Sequence, residues 1–272
     1  MSNPVMSGAA PALKARRFGA VNWIGCWTLL RRQFKNSFAD LHYIVLGPVI
    51  SNGLYLLLFV IASSSLTRLD PKGLVTFIAP GLICLSIAER AFQVSGANLI
   101  YEKHERIHTD WLMAPLTPTE KAACFALSST IAGMLVGAAV GLMTLLFVPA
   151  QVAHPGALVF FAAATGMMHG LIGTLLGIWA AKWDQYAALH TFVLLPLGFL
   201  SGVFAPVAAM PELAQRLIAF NPIFYLIDGF RYGAIGTATA DLRVSVAVGV
   251  AVNLGLFAWV HTWLRTGYRL KS

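Results

Sequence analysis

Long apolar runs separated by short polar stretches dominate the chain. Five are long enough to cross a bilayer core, which takes about 20 residues; they lie near 41–64, 122–148, 156–181, 187–206 and 243–264. A sixth, about 74–95, is apolar from Val75 to Ala88 and then carries Glu89 and Arg90, so it reads as a span whose cytoplasmic end is polar. The segment 211–233 (PELAQRLIAFNPIFYLIDGFRYG) is also long, but it contains Glu212, Arg216, Asp228 and Arg231. Each charge at mid-bilayer costs about 2.5–3.5 kcal/mol on insertion scales. Asn221-Pro222 breaks it into two short helices, with Pro211 and Pro222 suited to a first helical turn. Neither half is long enough to span. The pattern predicts an all-α integral membrane protein with six transmembrane helices and an outer-face re-entrant helical hairpin between spans five and six.

Ahead of the first span, residues 22–38 follow another pattern. Trp23, Trp27, Leu30 and Phe34 recur at three- and four-residue spacing, beside Arg31, Arg32 and Lys35. That spacing suits an N-terminal helix lying in the cytoplasmic interface, its aromatic side in lipid and its basic side near anionic headgroups. The plainer alternative is a basic flank that only sets topology. The chain divides accordingly into a cytoplasmic N-terminal segment, 1–40, and a six-helix transmembrane domain, 41–272.

Composition fits the pattern: of 272 residues 58% are hydrophobic and 11% charged, against about 25% charged in soluble domains. The net charge of +8 does not imply nucleic acid, because no basic cluster is interleaved with stacking aromatics on a polar surface. It sets orientation instead. Most of the basic residues (Lys14, Arg16, Arg17, Arg31, Arg32, Lys35, Lys103, Arg106, Lys121, Lys182, Arg265, Arg269 and Lys271) fall on one side when both termini are cytoplasmic. Arg68, Lys72, Arg216, Arg231 and Arg243 fall on the other. Cys26, Cys84 and Cys124 are too scattered for a disulfide framework or metal cluster. The N-terminus shows no apolar core before a small-residue cleavage site.

His104-Glu105-Arg106-Ile107-His108 spells H-E-x-x-H, the pattern of zinc proteases. An intramembrane metalloprotease using His104, Glu105 and His108 is therefore the alternative to weigh. The flanks Glu102, Lys103, Arg106, Thr109 and Asp110 read as a solvated segment rather than a lipid-buried helix. Asp228, the nearest match to a third ligand, falls on the opposite side of a hydrocarbon core roughly 30 Å thick, while a zinc carboxylate sits within about 2.2 Å.

The same stretch reads as a short cytoplasmic helix from Tyr101 to Met113 with an apolar end at Trp111, Leu112 and Met113. Pro115 stops it, and Thr117-Pro118-Thr119-Glu120 is a capping box that opens span three. Such a helix suits a groove on a soluble partner; a simple turnaround loop accounts for the same residues.

Three stretches in order resemble the permease subunits of ABC-2 type exporters, in the polysaccharide, nodulation-factor and drug export branch. They are WTLLRRQFKNSF running into GPVISNGLYLLLFV, then ERIHTDWLMAPLTPTE, then FVLLPLGFLSGVFAPVAAMPELAQRLIAFNPIFYLIDGFRYGAIG. The resemblance covers about Asn22 to Lys271. It implies that the loop after span two is a coupling helix docking on a separate ATPase, with Glu102, Glu105, Arg106, Trp111 and Leu112 as contact residues. The chain has no G-x-x-x-x-G-K-[ST] of its own. No cofactor is expected in this chain; ATP and Mg would sit on two copies of a P-loop ATPase, joined to a homodimer in a bacterial inner membrane. Glu89-Arg90 departs from the small or uncharged polar residues expected there.

Glu89 and Arg90 have two readings, the cytoplasmic mouth of a substrate path or a salt link near the headgroups. Phe224, Tyr225, Asp228 and Arg231 are the candidate outer gate; Asp228 and Arg231 have i, i+3 spacing. The stripes Gly133, Gly137, Gly141 and Gly166, Gly170, Gly173, Gly177 allow close helix approach, within one subunit or at a dimer seam. His169 and His190 have no titratable partner at a readable spacing and receive no role. A secondary transporter would usually carry internal repeats, and the two halves show none.

Overall fold

Lipid offers the backbone no hydrogen-bond partner, so a chain this apolar satisfies its own amides as helices. The computed structural model describes residues 19, 21–38, 41–65, 71–149 and 152–270. They form α1 (Trp23–Phe38), α2 (Leu41–Ser65), α3 (Pro71–His104), α4 (His108–Met113), α5 (Pro118–Thr144), α6 (Pro155–Trp179) and α7 (Trp183–Leu189). A π turn (His190–Leu194) leads into α8 (Leu195–Phe199), followed by α9 (Glu212–Ala219), α10 (Pro222–Ile235) and α11 (Leu242–Thr266). Among the described residues, five helices are long and apolar enough to cross a membrane: α2, α3, α5, α6 and α11. Lys14, Arg16, Arg17, Arg68 and Lys271, part of the charge bias, lie outside the described residues, as do residues 1–18 generally.

Helix α3 is the axis of the bundle, with α5 and α6 packed along it. The glycine stripes make that approach close. A Cβ on Gly133 would sit 2.7 Å from the Ile87 carbonyl oxygen, and one on Gly173 would overlap the Phe92 carbonyl. Gly177 lies against Gly96 and Leu99, and Gly166 against Thr130. Both stripes are therefore occupied by packing within the chain. Gly173→Val is expected to lower stability by about 1–3 kcal/mol or more through forced helix separation, read as the unfolding midpoint in detergent. An unchanged midpoint would show that α3 and α6 separate freely.

Two expected boundaries shift. The second apolar run does not end near Glu89-Arg90: α3 is 34 residues long, roughly 51 Å at 1.5 Å per residue. Glu89 and Arg90 therefore lie in mid-helix, with 91–104 continuing beyond them. The fifth run, 187–206, is not one helix. Helical backbone starts earlier, at Trp183, widens into the π turn, and ends at Phe199. Even so, this segment carries the chain from one end of the bundle to the other. Ala180 accepts from Lys103 Nζ at 2.7 Å near one end of α3. Gly202 accepts from Arg231 Nη2, whose guanidinium lies on Phe77 near the other. Phe77 and Lys103 are roughly 39 Å apart along the helix.

The two-helix reading of 211–233 matches the backbone. Asn221 caps α10, its side chain accepting from the Ile223 amide at 3.1 Å. Pro222 is the first residue of α10, whereas Pro211 is the residue just before α9. The capping box at α5 is also formed: Glu120 N–H donates to Thr117 Oγ1 and Thr117 N–H to Glu120 Oε2.

Candidate functional site

At one end of the bundle the α3–α5 connection is a folded knob, not a single helix. The chain leaves α3 after His104, turns through 105–107 with Arg106 in the left-handed region (φ 58°), and makes the short α4. Glu102 organises this turn from inside, fully buried. Its carboxylate accepts from Trp111 Nε1 at 2.7 Å and pairs with Arg32 of α1 at 3.2 Å. Arg32 also donates to the Ile107 carbonyl at 3.4 Å. Trp111 packs edge-on against Phe125, and Lys121 donates to the Leu112 carbonyl. The start of α1 is fastened to the same knob: Asn22 N–H donates to Glu120 Oε1 at 2.7 Å, and its side-chain amide to the Pro115 carbonyl.

This geometry divides the five contact candidates. Glu105 and Arg106 are exposed and Leu112 is half-buried, but Glu102 and Trp111 are interior. The exposed side chains of the knob are instead Tyr101, Glu105, Arg106, Thr109, Asp110 and Met113, the last 86% exposed. α1 is two-sided, with Trp23, Ile24 and Trp27 exposed and Leu29 and Gln33 buried against the bundle. But Leu30 and Phe34 of the expected lipid face are half-buried, and Arg32 of the expected basic face turns inward to Glu102. Local spacing could not reveal Arg32 as the pin, since its partner Glu102 lies far along the chain. Cys26 and Cys124 are thiols near this junction, and burial lifts the Cys26 thiol above its ordinary range.

The H-E-x-x-H reading needs two histidines one turn apart on a continuous helix. Here the helix breaks between them. His104 is exposed, while His108 is buried with Nδ1 3.3 Å from the Glu102 carbonyl.

Lys103 and Arg269 close the same end. Lys103 Nζ donates to the carbonyls of Gly177, Ile178 and Ala180, the unpaired acceptors at the end of α6. Arg269, past the end of α11, donates to the Trp179 carbonyl.

The opposite end is held by a buried pair. Asp228 and Arg231 are 1% and 3% exposed and 3.7 Å apart, so the pair is dry rather than solvated. Asp228 accepts from the amides of Thr239 and Ala240, and Arg231 donates to Phe77 and Gly202 carbonyls. The guanidinium lies 3.9 Å from the centre of the Phe77 ring. Phe224 is buried beside them, and Tyr225 donates to the Ala219 carbonyl.

Midway along α3, Glu89 and Arg90 line different pockets, both open toward the bundle surface. Arg90 lines one of about 340 Å³ with Asn36, Gln93, Trp183 and His190. Glu89 lines a smaller one with His169 and His190, histidines that sequence spacing could not connect.

Residues 25–235 match the ABC-2 type transporter family. The chain is 30% identical over 251 residues to the inner membrane transport permease YadH of Escherichia coli K12, covering 92% of this chain and 98% of that protein. It is 25% identical over 239 residues to nodulation protein J of Rhizobium leguminosarum bv. viciae, covering 85% and 88%. With nodulation protein J of Sinorhizobium fredii it shares 27% over 238 residues, covering 79% and 84%.

Proposed function

Because this chain belongs to the ABC-2 type transporter family, we propose that it is the permease subunit of an ATP-driven exporter, moving an amphipathic or lipid-linked substrate across a bacterial inner membrane. Two copies work with two copies of a separate P-loop ATPase, which carries ATP and Mg. The observation that carries the reading is the knob between α3 and α5. It stands at one end of the bundle, braced from within by Glu102, and presents charged and apolar side chains outward. A rigid knob on two long helices is the device needed to pass a partner's motion into a membrane.

The membrane is crossed six times, by α2, α3, α5, α6, the α7–π–α8 segment and α11. The end holding α1, Lys103, Lys182 and Arg269 is cytoplasmic, as its basic character favours. α9 and α10 dip into the outer face as a hairpin; α9 leaves Leu213, Leu217 and Phe220 exposed for lipid. Tyr43, Leu46, Ile50 and Leu54 of α2 and Phe192 of the π turn form exposed apolar faces suited to a second copy. Arg90 and its cavity line the substrate path from the cytoplasmic side, and the Asp228–Arg231 lock bounds it outside.

Co-purification from native membranes in mild detergent tests the reading. A roughly equimolar P-loop ATPase is expected to accompany the chain. Glu105→Arg combined with Met113→Asp, both exposed, is expected to cut its recovery at least tenfold without moving the unfolding midpoint. A chain that purifies alone, or keeps its ATPase despite both changes, would remove the knob as the docking element.

A further inference from the structure

Three titratable side chains far apart in sequence line one small pocket beside α3. Glu89 of α3, His169 of α6 and His190 of the π turn line one cavity of about 10 Å³, which is the room one water needs. Leu85, Leu194 and Leu195 supply apolar wall around it. Polar groups around so small a space call for one bridging water.

The state of His169 sharpens the requirement. Its Nδ1 lies 2.9 Å from the Thr165 carbonyl oxygen. A carbonyl only accepts, so Nδ1 carries the hydrogen and the neutral ring offers Nε2 as an acceptor. His169 is buried, and a buried acceptor is costly to leave without a donor. A water, or a proton held by Glu89 or His190, supplies one.

His190 also connects the site to one end of the molecule. It lines both the small cavity and the larger one of about 340 Å³, which includes Asn36 of α1 and Trp183 at the start of α7. It opens the π turn and stacks on Phe92, 4.9 Å between ring centres; Phe92 in turn stacks on Tyr186. Single π turns inside helices are frequent at functional positions. An ionisable group within a span ordinarily faces a cavity or a partner and marks a path for ions or protons.

We propose that Glu89, His169 and His190, bridged by one water, form a proton-binding site reached through His190 from the end that carries α1. Around it α3 contributes Glu89 and the adjacent Arg90, α6 contributes His169, and the π turn contributes His190. α7 contributes Tyr186, whose hydroxyl donates to the Phe92 carbonyl at 3.0 Å, and α8 contributes no titratable group. Uptake is a proton transfer: a hydronium O–H bond in the larger cavity breaks as an N–H bond forms on His190, and the proton passes through the bridging water to Glu89. The charge of the cluster changes by one where α3, α6 and the π turn meet, which biases the position of α7 and α8. This inference does not rest on the exporter reading, and its test needs no ATPase.

The test uses the full chain in lipid nanodiscs, labelled with 15N-histidine and titrated by solid-state NMR. His169→Gln and His190→Gln assign the two signals. His169 is expected in its Nδ1–H tautomer at neutral pH, and Glu89→Gln is expected to lower the proton affinity of His190 at least tenfold. Glu212→Gln, at an exposed distant carboxylate, is expected to leave it unchanged. A shift of His190 below twofold in Glu89→Gln, or an Nε2–H tautomer at His169, overturns the site. If Glu89→Gln does not fold, the effect of His169→Gln on His190 decides: threefold or more supports the shared water, and no change overturns it.

Discussion

Arg231→Leu is expected to destabilise the folded chain by about 3–5 kcal/mol, the cost of breaking a buried ion pair from one side. The leucine removes the guanidinium donated to the Gly202 carbonyl at 2.7 Å and the Phe77 carbonyl at 3.3 Å. It also leaves the Asp228 carboxylate buried at 1% exposure without its cation. The amides of Thr239 and Ala240 still donate to Asp228, so the carboxylate is not wholly abandoned. Asp228→Asn is the milder change, since its oxygen keeps an acceptor for those amides. Unfolding midpoints of both variants in detergent check the expectation. A loss below about 1 kcal/mol for Arg231→Leu would mean that water reaches this end of the bundle and hydrates the charge.

Glu102→Ala is expected to release the knob. Its carboxylate is the acceptor for Trp111 Nε1 and the partner of Arg32. Hydrogen bonds to charged groups contribute about 1.5–3 kcal/mol, and the indole N–H would be left buried without an acceptor. The pair with Arg32 adds less, because that side chain is 27% exposed. The local loss, about 3 kcal/mol, falls on the turn at 105–107. Trypsin cleavage after Arg106, an exposed residue already in the left-handed region, is therefore expected to accelerate at least tenfold, with a much smaller effect from Glu102→Gln. Equal cleavage rates in wild type and Glu102→Ala would show that the knob is held by Trp111 packing on Phe125 rather than by the carboxylate. The two variants probe opposite ends of one design, in which buried charges fix the short elements that the long helices leave loose.

The features legible in the sequence are those fixed within a few residues or by solvent alone. The apolar runs demand helices because lipid cannot satisfy a backbone. Thr117 and Glu120 form their box, and Asn221 its cap, because donor and acceptor are three residues or fewer apart. The charges in 211–233 and the Asn221-Pro222 break divide that segment whatever surrounds it.

What remained illegible depended on helices from distant parts of the chain. Glu102 and Trp111 look like surface residues in a charged loop, yet α1 and α5 close over them. Glu89-Arg90 looks like the polar end of a span, yet α3 continues through the bundle because Gly173 and Gly177 let α6 lie against it. The fifth run has the length and hydropathy of a plain span, but His190 and Tyr186 stack on Phe92 where the backbone widens into the π turn. Hydropathy along the chain decides which residues leave water; only packing decides which polar groups must then satisfy one another, because a buried charge takes its partner from whatever helix the fold brings beside it.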